Sequence, residues 1–126
     1  MVKTVDNSVL DAALNDIRNN CNLMTACAGQ PLSFAEANTA GAKYLAGVAM
    51  APTDFTVGNG VTSGRKAAVA SKSGITVTNT GTGDHIALLD TVNNVLLYVT
   101  TATAMALTAS SSLTIGSWNI EIADPV

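Results

Sequence analysis

Asp84 and His85 stand side by side, with Asp90 five residues further on and serines nearby, the residue types of a hydrolytic triad. Such chemistry needs a nucleophile, an orienting carboxylate and an oxyanion hole that converge on one point. His85 opens a strand-like run, and neighbours on a strand point to opposite faces. No Gly-x-Ser-x-Gly elbow is present. A structural histidine at a sheet end is the better account, and no catalytic residue is assigned. The glycines at 58, 60 and 64 before Arg65 and Lys66 have the flavour of a phosphate loop, but neither phosphate-binding spacing is met. They read as a hairpin loop. Cys21 and Cys27 with the single His85 fall short of a zinc set, and Asp84 with Asp90 lacks the clustered oxygens that calcium needs. No metal or cofactor is expected, and the two cysteines read as small buried thiols. Of the five aromatic residues, Phe55, Tyr98 and Trp118 lie in strand-like runs. Phe34 and Tyr44 are left as candidate anchors for a sugar or a neighbouring subunit.

The elements that must hold these residues are mostly strands. Residues 85–101 form the centre: two runs rich in branched residues flank Asn93 and Asn94, and Asn tolerates the positive φ of a tight hairpin turn. Both runs are almost continuously apolar, so both faces of this hairpin are expected to be covered. Ahead of it, residues 8–20 carry Leu10, Ala13, Leu14 and Ile17, continued by Cys21 just past them, at steps of three and four, one stripe of an amphipathic helix capped by Ser8 or Asn7. Ser33 and Glu36 form a capping-box pattern for one helical turn over 34–38. Short strands are expected at 23–28, 43–50, 55–57, 65–70 and 75–78. After the hairpin come edge strands at 105–107 and 113–115, and an alternating strand at 117–123 with Trp118, Ile120 and Ile122 on one side. About eight short strands separated by Gly, Asn and Ser turns indicate a mainly β fold. The expected form is a β-sandwich or barrel-like domain with one N-terminal α-helix. One domain spans 1–126, the helix at about 8–20 and the β-domain at about 23–124.

The composition bounds the partners. Charged residues make up only 12% of the 126, about half the usual share, so Thr, Ser, Asn, Ala and Gly must fill much of the surface. Such a surface suits a subunit packed against neighbours. The net charge is −3 and the six basic residues are scattered, which gives no phosphate-neutralising patch for nucleic acid. No apolar run reaches the length of a membrane span, and the first residues lack a signal-peptide core. Folding in the cytosol is expected, with no small-molecule substrate.

The order of motifs carries a resemblance. Residues 8–17 (SVLDAALNDI) are followed by 27–31 (CAGQP), 54–57 (DFTV), 63–66 (SGRK), 72–77 (KSGITV), 84–90 (DHIALLD), 97–101 (LYVTT) and 117–125 (SWNIEIADP). Together, over nearly the whole chain, they resemble small virion structural proteins of tailed bacteriophages. The resemblance implies a capsid-associated role without catalysis, that of a decoration or cement protein. It would be made in the host cytoplasm and placed on the outer surface of the head. Its implied partners are the major capsid protein and copies of itself. Candidate contacts are Val2, Lys3 and Val5 in the N-terminal segment and Asn59 and Val61 in the loop 58–64, with Phe34 and Tyr44. Another virion component (a head–tail connector or tail protein) and a receptor- or glycan-binding β-module are the alternatives.

Overall fold

A computed structural model of the chain describes residues 3–125. Among them are two α-helices and nine β-strands, and the fold is mainly β, sandwich-like and not a closed barrel. Helix α1 (Asn7–Asn20) begins at Asp6, whose carboxylate accepts the Ser8 amide at 2.9 Å. Asp6 therefore caps the helix in place of the expected Ser8 or Asn7. Ser8 lies inside the first turn and donates its hydroxyl to the same carboxylate. Leu10 and Leu14 are buried and Ile17 is half-buried, but Ala13 is exposed, so the stripe is narrower than its spacing implies. Arg65 fastens the helix to the sheet, its guanidinium donating to both oxygens of Asp11 at 2.7 and 3.2 Å.

The main sheet has four strands, β1 (Leu23–Cys27), β2 (Tyr44–Ala49), β6 (Gly81–Asp90) and β7 (Val95–Leu107), in the order β2-β1-β6-β7. Every pairing is antiparallel. Helix α2 (Phe34–Asn38) starts at Ser33, whose hydroxyl accepts the Glu36 amide. It packs over one face of this sheet, where Cys27, Ala37, Ala87 and Leu89 form a small apolar cluster. The other face carries the larger core. There Met24, Ala26, Leu45 and Leu88 meet Leu14 of α1 and the inner residues of the remaining strands. Those strands are β3 (Phe55–Asn59), β4 (Arg65–Val69) and β9 (Trp118–Ile122) in one sheet, with β5 (Lys72–Thr76) and β8 (Ser112–Ile115) paired beside it. Covered on both sides, β1 and β6 explain why their sequences are apolar without alternation.

The central hairpin forms, with two differences from its sequence reading. Its turn spans residues 91–94. Only Asn94 takes the left-handed conformation (φ 57°), while Asn93 donates its side-chain amide to Asp90 at 2.8 Å. Secondly, the cover of β7 is uneven: Leu96 and Val99 pack against the cluster under α2 and Leu97 and Tyr98 against the main core, but most residues from Thr101 to Ala106 are exposed. β7 is the outermost strand, and most of its residues are half-buried or exposed. It also runs on to Leu107, so the expected separate strand at 105–107 is its last part. That extension pairs with 81–83 of β6, a glycine-rich stretch that reads in sequence as a connector. In β5, Gly74 at φ 66° sits in an irregular register, which lets the strand begin at Lys72 and not at Ile75.

Candidate functional site

Two irregularities in the β6–β7 ladder shape the molecule's most open region. Gly83 pairs with Met105 and His85 with Thr101, so β7 carries two extra residues there. Leu88 pairs with Tyr98 and Leu89 with Leu96, so Leu97 is an extra residue too. Such bulges bend a strand and re-aim its side chains. At the first irregularity Asp84 and His85, expected on opposite faces, meet: Nδ1 of His85 lies 2.8 Å from Oδ1 of Asp84. The same oxygen accepts the Gly29 amide at 2.7 Å. His85 first, then the Gly29 amide, hold the Asp84 carboxyl below the usual carboxylate range. The pair ties β6 to the turn at Gly29. Among the described residues no hydroxyl is hydrogen-bonded to His85.

Beside this pair the sandwich gapes. A groove of about 510 Å³ runs between β7 and the strands β8 and β9. Ile86, Met105, Leu107, Leu113, Ile115 and Trp118 line it, and Thr101 and Thr103 stand along its wall. Trp118 is half-buried and stacks on Tyr98 of β7 with ring centroids 6.0 Å apart, bridging the two sheets. Its indole Nε1 is shielded from solvent and has no acceptor among the described residues. Met105, at 55% exposure, is the largest free apolar side chain on β7.

The strand edge and most of the groove share one chemical feature, with His85 the one titratable side chain that lines the groove. Residues 91–120, thirty in a row, contain no Asp, Glu, Lys, Arg or His. The charged groups lie elsewhere along the chain, and six of the fifteen form ion pairs: Lys43 with Glu36 at 2.8 Å, Arg65 with Asp11 at 2.7 Å, and Lys72 with Asp54 at 2.9 Å. No group of three or more His, Cys, Asp or Glu is placed to hold a metal among the described residues. Nor is any helix among them long and apolar enough to cross a membrane. Cys21 and Cys27 are both buried and free. Burial pushes the Cys21 thiol up to about 11, and it raises Cys27 as well.

The contact residues expected from sequence fall into two groups. Val2 lies outside the described residues. Lys3 and Val5 line a recess with Asp124 and Pro125. In the loop after β3, the Ser63 hydroxyl accepts the Asp124 amide at 3.2 Å, so the N-terminal segment and this loop both meet the segment that follows β9. Val61 is 71% exposed in that loop. Asn59 accepts from Arg65 at 2.7 Å. Phe34 and Tyr44 lie apart from them and both are half-buried, Phe34 against the cluster under α2 and Tyr44 over Gly47. Neither is a free aromatic platform. The residues of the groove, Met105 and Thr103 above all, were not among the expected contacts. The uncharged thirty-residue run is the sequence signal that marks them.

Comparison with protein-family models, with curated proteins and with solved structures gives no match.

Proposed function

We propose that this chain is a structural component of a tailed-phage virion, a decoration protein that stabilises the head by bridging capsid protomers. The observation that carries the reading is the uncharged, partly apolar edge of β7 with the groove beside it, a surface built for burial. Removing such a surface from water carries no penalty for stripping ions of their hydration. The motif order along the chain supports the same role. In this reading Lys3, Val5 and Val61, gathered at one end of the sandwich around Asp124, meet the major capsid protein. Further copies of the chain meet one another elsewhere. Each contact is modest, and repetition over the shell converts it into avidity. Nothing in this work needs a bond made or broken.

The test is made on particles. Heads assembled without the protein should release their genome at a lower temperature than complete heads, and adding the purified chain should restore the difference. Equal thermal robustness with and without it rules the decoration role out. A reconstruction that finds the chain on the neck or tail replaces decoration with a connector or tail role.

A further inference from the structure

We infer that Asn59 is a self-modification site, where the chain's own backbone converts a side-chain amide into a carboxylate, and that the loop 60–64 is the latch on that reaction. The inference goes beyond the virion reading and does not depend on it. Asn59 is followed by Gly60, and no other asparagine of the chain precedes a glycine. Asparagine is a thermolabile residue, and a glycine after it leaves the next backbone nitrogen free of any Cβ that would hinder its approach. Asn59 is exposed at the end of β3, within reach of water. Arg65, its partner across the hairpin, donates Nη1 to the side-chain oxygen at 2.7 Å. That guanidinium draws electrons away from Cγ and faces the negative charge that gathers on the oxygen during attack.

Water is the only co-reactant. The Gly60 nitrogen gives its proton to a base in solvent and bonds to Cγ of Asn59. The bond from Cγ to Nδ2 then breaks, and that nitrogen takes up a proton and leaves as ammonia. Water opens the resulting cyclic imide at either carbonyl. One opening restores the ordinary main chain with aspartate at 59. The other routes the main chain through the side-chain carbon, giving isoaspartate and a backbone longer by one methylene, which breaks the pairing of 59 with Arg65. Either product adds a negative charge to the net −3 of the chain.

The folded loop opposes the attack. The Gly60 amide is committed to the Gly64 carbonyl at 2.9 Å, and Asn59 is held extended opposite Arg65, so the nitrogen is kept from turning toward the side chain it would attack. The loop is pinned in turn to the far end of the chain. The Thr62 amide donates to Glu121 at 3.2 Å, and the Ser63 hydroxyl accepts the Asp124 amide. Nor can the fold dispense with the glycine, because a side chain at 60 would run into the Ser63 carbonyl and the Glu121 carboxylate. The hairpin therefore both requires the labile bond and shields it, and the reaction proceeds through brief local openings of the loop.

The experiment is ageing of the full-length chain at mildly alkaline pH, with and without urea, then brief tryptic digestion in mild acid and mass spectrometry. Cleavage after Lys43 and Arg65 releases the peptide 44–65, in which Asn59 carries the only side-chain amide. In the folded chain this peptide should gain the mass difference between a hydroxyl and an amino group several-fold faster than any other asparagine-bearing peptide. It should also separate on chromatography into aspartyl and isoaspartyl forms. The change should be faster still in urea. Ser63→Ala removes one pin and touches no reacting atom, so it should age faster than the wild type, with circular dichroism checking that it keeps its fold. A peptide 44–65 that changes no faster than the others overturns the site. Ageing of Ser63→Ala at the wild-type rate, or no acceleration in urea, overturns the latch. Neither result touches the virion reading, which stands or falls on the robustness of particles.

Discussion

Asp90 shows how one side chain can do the work of a whole turn. Its carboxylate accepts the side-chain amide of Asn93 at 2.8 Å, and the backbone amides of Asn93 and Val92 at 3.1 and 3.0 Å. The Asn93 side chain first, then the backbone amides, hold its carboxyl below the usual carboxylate range, against the desolvation that pushes it up. A carboxylate with a lowered folded pKa contributes stability at pH values above its unfolded value, about 3.9. That contribution is lost as pH falls through the folded value. Asp90→Asn should therefore be less stable than the wild type in urea at neutral pH, with the gap closing as the pH is taken below about 4. A gap that stays constant into acid would mean that the charge of Asp90 is irrelevant. The sequence shows that a turn belongs here, because Asn-Asn is a local signal. Which Asn takes the positive φ depends on the register of the two strands, and no local signal carries that.

At the scale of elements, pieces with local signatures were legible and pieces made by pairing were not. The helix stripe, the Ser33 cap and the alternation of Trp118, Ile120 and Ile122 each sit within a few residues of their cause. The length of β7 does not. Its second half begins Thr-Ala-Thr-Ala, where the strand preference of Thr is diluted by Ala, and it extends with residues 81–83 alongside it. Asp84 meeting His85 has the same origin, since the bulge that joins them belongs to the ladder and not to either residue. Helix α1 is held by its apolar stripe and by the Asp11–Arg65 pair, and Leu14 at its centre is fully buried against the main core. Leu14→Ala should lower the unfolding free energy by about 2–5 kcal/mol, measured as a shift of the urea midpoint at unchanged slope. A loss well under 1 kcal/mol would show that the helix is an appendage and not part of the core.

For the molecule as a whole, stability and recognition are divided across the main sheet. β1 and β6 are covered on both faces, while β7 is bare along one side. Amide exchange should follow that division. The slowest amides belong to 23–27 and 86–90, and the outward amides of β7 exchange far faster. Uniform protection across β6 and β7 in a monomer would contradict the division. Of the candidate contacts named from sequence, Lys3 and Val5 lie by Asp124, Asn59 and Val61 lie in and beside the loop after β3, and Phe34 and Tyr44 lie apart from both. The uncharged edge went unnoticed because Thr and Ala attract no attention one at a time, and only the unbroken length of the run gives it meaning.

The bulges in β7 carry one more consequence. A straight, naked strand is the usual seed of fibrils, since each arriving chain presents a fresh margin to the next. Here the extra residues at Leu97 and within 102–104 throw that margin out of line after four residues. A concentrated stock left standing should therefore stay clear, with no growth of endless threads.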